Sequence, residues 1–94
     1  MKEAAKQGID SYIRQYGGKY PEWYCGIATD PDERLRNEHN VDRFGLKIHR
    51  DAGSEAAARE VEKYFLSKGC RGGTGGGKSP RHVYAYKMTS GTRP

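Results

Sequence analysis

The pattern of apolar positions along the chain changes five times and so predicts six elements. Residues 2–16 place Ala5, Ile9, Tyr12, Ile13 and Tyr16 at offsets of 4, 3, 1 and 3, one stripe down a helix. Gly17-Gly18 ends it, with Gly17 expected as the left-handed cap, so the N-terminal helix occupies 1–18. Pro21 predicts an extended approach to Trp23. The run Trp23-Tyr24-Cys25-Gly26-Ile27 is aromatic and β-leaning and reads as a short buried strand. Thr29-Asp30-Pro31 stops it. Asp30 suits the N-cap of a second helix, Pro31 its first position and Glu33 its third, and Asn40 closes it. From Arg43 to Arg50 the period falls to two, with Phe44, Leu46 and Ile48 facing a core and Arg43, Gly45, Lys47 and His49 facing away. Ser54 then caps a third helix, Glu55 to about Lys68, buried through Ala57, Ala58, Val61, Tyr64 and Phe65 and stopped by Gly69. His82 to Met88 is a strand rich in aromatics, and Thr89 to Pro94 is expected to fray.

Three helices and three strands in this order predict one α+β domain over 1–94, a short sheet flanked by helices. The length of 94 residues allows one small core. Hydrophobic residues make up 34% and mean hydropathy is −1.01, so that core must be thin. No apolar run approaches the length of a membrane span, and the charged start does not resemble a leader. The two cysteines, Cys25 and Cys70, suit reduced thiols better than a disulfide framework, so a soluble cytoplasmic protein is expected.

Charge changes the picture further. Residues 1–62 hold ten Lys/Arg and twelve Asp/Glu, while residues 63–94 hold seven Lys/Arg and no acid, within a total of +5. A basic last third favours a polyanion, nucleic acid first, through phosphate contacts. Lys47, Arg71, Lys78 and Arg81 are the candidate contacts; a basic face serving solubility alone is the competing explanation. Within the loop 69–81, Gly72, four residues and Gly77-Lys78-Ser79 match a phosphate-loop pattern letter for letter. That pattern needs a strand before it and a helix after it; here a helix precedes it and Pro80 follows, so NTP binding is rejected.

The stretch from Trp23 to Asn40 resembles the second half of the GIY-YIG nuclease module. Tyr24-Cys25-Gly26 stands where that family has Tyr-Ile-Gly, with Cys25 for Ile; Arg34 follows Tyr24 by ten residues, and His39-Asn40 ends the helix. In the third helix, Ala58 to Leu66 resembles the family's metal-binding pattern with Glu62 in the glutamate's place, ahead of Glu60. The family opens with a Gly-Ile-Tyr strand that hairpins into the next, and nothing before Trp23 reads as that strand. Val83 to Lys87 looks like it instead, which predicts a permuted order in which the strand around Tyr84 pairs with the strand around Tyr24.

The resemblance implies a three-stranded antiparallel sheet flanked by helices and metal-dependent hydrolysis of phosphodiester bonds in DNA. Magnesium, or another divalent cation such as manganese, would sit on Glu62, and Arg34 would hold the scissile phosphate. Tyr24 or Tyr84 would pass a proton from the attacking water if its pKa falls, and His39 would share that proton or bind phosphate. A catalytically inactive nucleic-acid-binding module on the same fold is the alternative, and a domain that meets an acidic protein partner is a further one.

Overall fold

The structure is a computed structural model that describes residues 1–73 and 77–94. Its elements follow from local signals. Helix α1, Lys2–Tyr16, buries Ala5, Ile9 and Ile13 on its stripe. It ends on an extended Gly17 (φ −168°), and Gly18 (φ 76°), rather than Gly17, takes the left-handed position. Pro21 lies in a 3-10 turn, Tyr20–Glu22, in place of the expected extended approach, because its fixed φ suits the first turn of a helix.

Strand β1, Trp23–Ala28, is buried throughout. Helix α2 starts at Pro31–Glu33, where the Asp30 carboxylate accepts the Glu33 amide at 3.2 Å, as an N-cap should. It continues as a π turn, Arg34–Glu38, in which the His39 amide donates to the Arg34 carbonyl five residues back, at 3.0 Å. Asn40 then takes the left-handed conformation (φ 53°) and reverses the chain.

Strand β2 is shorter than its alternation predicts, Lys47–Asp51. Arg43 to Leu46 is not strand. The Asp42 carboxylate accepts the Phe44 amide at 3.0 Å and the Asp42 carbonyl accepts the Gly45 amide at 2.9 Å, so a turn outcompetes the ladder. Phe44, expected in the core, is 86% exposed. Helix α3, Glu55–Lys68, begins on Ser54, whose hydroxyl accepts the Ala57 amide, and ends on left-handed Gly69 (φ 116°).

The last strand, β3, His82–Lys87, lies in the middle of the sheet, in the order β1-β3-β2, antiparallel to both neighbours. Tyr24 lies opposite Tyr86, Gly26 opposite Tyr84 and His49 opposite Tyr84 on the far side. The fold is therefore α+β, with a small three-stranded antiparallel sheet flanked by helices. The outer edge of β1 is also occupied. The Arg71 amide donates to the Trp23 carbonyl and the Cys25 amide to the Arg71 carbonyl, at 2.9 and 2.8 Å, so the start of the glycine-rich loop extends the sheet by one parallel bridge.

Alternation along the strands makes two faces. Trp23, Cys25, Ile27, Ile48, Val83 and Ala85 pack with residues of α1 and α3 in one apolar cluster. Tyr24, Ala28, Tyr84 and Tyr86 pack with Leu35 and Val41 in the other. Both cysteines are buried free thiols, and burial pushes Cys25 well above the ordinary thiol range and Cys70 to about 11. No helix among the described residues is long and apolar enough to cross a membrane.

Candidate functional site

The second face carries the polar chemistry. Tyr84 and Tyr86 are two positions apart on β3 and so share that face, and Tyr24 joins them from β1. The Tyr24 ring stacks on those of Tyr86 and Tyr84 at 5.3 and 6.4 Å between centroids. The Tyr84 ring crosses over Gly26: a Cβ built there would lie 2.5 Å from the Tyr84 hydroxyl and 2.7 Å from its Cζ. Glycine in this Tyr-x-Gly triplet is therefore what lets the two strands bring their tyrosines together.

His39, at the end of the π turn, is only 7% exposed and lies among these rings. Its Nδ1 is 2.7 Å from the carbonyl oxygen of Arg93, which can only accept, so in the neutral ring Nδ1 carries the proton. Nε2, 2.7 Å from the Tyr84 hydroxyl, then accepts the Tyr84 proton. The Tyr86 hydroxyl is 3.1 Å from Nδ1 and donates to the same Arg93 carbonyl at 3.3 Å.

The carbonyl that fixes this tautomer comes from the tail, which is not frayed. The Arg93 amide donates to the His39 carbonyl at 2.7 Å, Asn40 Nδ2 donates to the Gly91 carbonyl at 2.9 Å, and the Thr92 hydroxyl closes a turn on Thr89. The sequence reading missed the tail and Tyr86. Period two on β3 was a signal for Tyr86; nothing in the polar letters Thr89 to Arg93 announced the clasp.

Arg34 leads the π turn with its side chain 22% exposed and its Nε 2.7 Å from the Glu38 carboxylate. With Thr29, Asp30, Glu33, Glu38, Gly77 and Lys78 it lines a depression of about 320 Å³. The Thr29 hydroxyl donates to the Lys78 carbonyl at 2.6 Å and holds the end of the glycine-rich loop there. Gly73, earlier in that loop, passes so close to Tyr24 that a Cβ would sit 2.9 Å from its hydroxyl. Thr74, Gly75 and Gly76, within the phosphate-loop-like pattern of 72–79, lie outside the described residues.

Glu62 is half-buried on α3, and burial raises its carboxyl pKa, with Arg59 pulling the other way. Among the described residues it forms no ion pair or side-chain hydrogen bond, whereas exposed Glu60 is held by Lys2 at 2.5 Å. Burial, then the Glu62 charge, pushes the Tyr24 hydroxyl above its ordinary value, and Arg34 pulls it down. Burial likewise raises Tyr84 and Tyr86 well above theirs, with Arg34 opposing at Tyr84. The expected fall in a tyrosine pKa is thus reversed in this protein alone, because the rings are removed from water. Glu62 and Arg34 thus act on Tyr24 with opposite sign and Arg34 also acts on Tyr84, while Glu62 itself stands on α3, the helix of the other sheet face.

The four basic candidates do not gather. Arg71 is on the β1 edge and also acts on Tyr24, and Lys78 borders the Arg34 depression. Lys47 donates its amine to the carbonyls of Asp42 and Arg43, and Arg81 grips Asp51 through two hydrogen bonds at 2.9 and 2.7 Å. Among the described residues no three His, Cys, Asp or Glu side chains form a metal-ligand group. A half-buried carboxylate without a cationic partner at hydrogen-bond distance still fits a divalent ion as its counter-charge. Compared with protein-family models, curated proteins and solved structures, the chain matches none.

Proposed function

We propose that this chain is a metal-dependent endonuclease that hydrolyses phosphodiester bonds in DNA, at a GIY-YIG-like site whose first strand is supplied from the C-terminal end of the chain. One observation carries the reading: β3 lies beside β1 and lays Tyr84 across Gly26 with its hydroxyl on His39 Nε2. The letters that resemble the family from residues 24 to 40 and from 83 to 87 are sixty positions apart, and the sheet makes them neighbours.

The residues divide the work by their chemistry. Glu62 would hold the divalent ion, magnesium or manganese, which supplies positive charge to the phosphate oxygens as they gain negative charge. Arg34, always protonated, binds the scissile phosphate, which replaces Glu38 as its partner. Tyr84 need not ionise first. Tyr84 is buried at 2% exposure, so the bound DNA has to open this face for the attacking water to reach it; the water proton then passes to the Tyr84 oxygen while the Tyr84 proton passes to His39 Nε2. The bond from phosphorus to the leaving oxygen breaks, and that oxygen keeps the electron pair and takes a proton from solvent. The imidazolium, stabilised by the Arg93 carbonyl on Nδ1, returns its proton to solvent. Tyr24 packs the histidine ring and borders Glu62's field.

One observation favours the second reading, an inactive nucleic-acid-binding module: Arg34 is already paired with Glu38. Incubation of supercoiled plasmid with the protein separates the two. Cleavage in magnesium, none with chelator and none by a folded Glu62→Ala protein is the expected result. DNA binding without cleavage in magnesium or manganese would establish the module instead.

A further inference from the structure

A second surface lies on the other side of the π turn. Arg34 and Arg36 are two residues apart in a helical segment and so point to roughly opposite sides. Behind Arg36 is a cleft of about 340 Å³ lined by Asp32, Leu35, Arg36, Val41, Arg43 and Lys47. Phe44 follows the lining residue Arg43 in the chain and is 86% exposed, the most exposed large apolar side chain among the described residues. Fully burying such a ring would stabilise the fold by roughly 1.5–3 kcal/mol, and the cleft beside it already contains apolar Leu35 and Val41. The turn that holds Phe44 out of the core is nevertheless firmly built: Asp42 accepts the Phe44 and Gly45 amides, and Lys47 ties the carbonyls of Asp42 and Arg43.

The charges around the ring say what would cover it. The Arg43 guanidinium lies over the Phe44 ring, 5.4 Å from its centroid. Among the described residues neither Arg36 nor Arg43 forms an ion pair, whereas Arg14, Arg34, Arg59 and Arg81 all do. Three cations and one carboxylate line the cleft. An exposed aromatic ring on a hydrogen-bonded turn, with the Arg43 guanidinium over it and Arg36 lining the adjoining cleft, suits a flat apolar face joined to phosphates, as in an unpaired nucleobase on its backbone.

We propose that the Arg43-Phe44 turn is a stacking element for nucleic acid: Phe44 stacks on an unpaired or unstacked base while Arg36 and Arg43 contact the flanking phosphates. The inference rests on the nucleic-acid reading above and adds a preference for DNA with a disrupted stack.

The test uses the full chain with chelator present, so that binding is read without cleavage. Two fluorescein-labelled short duplexes are compared by anisotropy at low salt, one fully paired and one with a single unpaired adenine. The wild type should prefer the second. Phe44→Ala should lose that preference, by about tenfold or more in affinity for the unpaired probe, with the paired probe unchanged, and Phe44→Trp should restore it. Arg36→Gln with Arg43→Gln should weaken both probes and flatten their salt dependence. Because Phe44 is exposed, circular dichroism of Phe44→Ala should be that of the wild type. Unaltered binding of both probes by Phe44→Ala overturns the stacking element while leaving the nucleic-acid reading in place. Failure of the wild type to bind either probe overturns both. A lower sedimentation mass for Phe44→Ala than for wild type overturns it in favour of a second copy of this chain on the patch.

Discussion

The two faces of the sheet are made by alternate residues of the same strands, yet they are held together differently. On one face Trp23, Cys25, Ile27, Val83 and Ala85 meet α1 and α3 in a cluster held by shape and exclusion of water, in which the Trp23 indole N–H is buried without a hydrogen-bond partner among the described residues. On the other, Tyr24, Tyr84, Tyr86 and His39 bring hydroxyls and a ring nitrogen into the interior, and several of these polar atoms meet named partners: Tyr84 on His39, His39 and Tyr86 on Arg93. The first arrangement is non-directional and its energy scales with area. The second is directional, and a lost partner costs more than the bond itself contributes. A fold that keeps its solvent-averse area on one face can commit the other to groups whose positions are set by hydrogen bonds, which is what a reactive site requires.

Truncation on the apolar face should have the largest effect on stability. Phe65, on α3, is fully buried in that cluster. Phe65→Ala is expected to cost about 3–5 kcal/mol, a large share of the 5–15 kcal/mol typical of a whole domain. Tyr84→Phe, on the opposite face, keeps the ring and removes one hydroxyl, so it should cost about 1–3 kcal/mol, the penalty of leaving the buried His39 Nε2 without a partner, while activity falls by at least a hundredfold. Urea denaturation of the two variants checks the contrast. Equal losses of stability would mean that the faces do not differ in kind, and full cleavage by Tyr84→Phe would remove Tyr84 from the proposed proton path.

The second prediction attacks the place where the faces are joined. Gly26→Ala adds a methyl where the Tyr84 ring already lies, at distances no Cβ tolerates. The strand cannot retreat, since both its edges are bonded, to β3 and to Arg71. Overpacking of this kind costs about 1–3 kcal/mol, and it should displace the Tyr84 hydroxyl from His39. A lowered melting temperature that Tyr84→Ala partly restores in the double variant is the expected sign; independent, additive losses would show that the two residues do not compete for space.

The apolar face was largely legible in the sequence because its elements announce themselves by period and by caps: Ser54 and Gly69 do what their letters suggest, as Asp30 does for α2 on the other face. The pairing of β1 with β3 was legible for a different reason, the resemblance of Val83 to Lys87 to the strand that the GIY-YIG family pairs with the one at Trp23, which nothing before Trp23 shows. What failed was local competition. Asp42 turned Arg43 to Leu46 out of an alternation that was otherwise regular, because its side-chain oxygen takes the Phe44 amide and its carbonyl the Gly45 amide, nearer partners than a distant strand. The tail was illegible because its order comes from His39 and Asn40, fifty positions away. Glu62 was singled out by resemblance; its half-buried place explains, independently, why that carboxylate differs from Glu60.

The smallest effect tests that place directly. A carboxyl whose pKa is raised on folding binds its proton more tightly in the native state than in the unfolded chain. Between the ordinary carboxyl value, about 4.3, and the raised one, the native state therefore holds more protons, and stability falls as pH rises through that window. Above it the full penalty of a half-buried charge remains. Glu62→Gln removes the charge and should melt at a higher temperature than wild type at neutral pH, with the gap closing as pH falls toward the ordinary carboxyl range. Asp51 gives the opposite sign as an internal control. Arg81 and the Gly53 amide hold it at about 2, so its contribution is present above the ordinary carboxyl range and is lost as pH falls toward that value. A divalent ion that binds the native carboxylate should raise the melting temperature of the wild type at neutral pH and leave Glu62→Gln unmoved. If Glu62→Gln instead melts lower than wild type at neutral pH, the carboxylate already has a compensating partner. Glu62 would then be a structural group of the apolar face's helix, and the metal would have to be sought elsewhere.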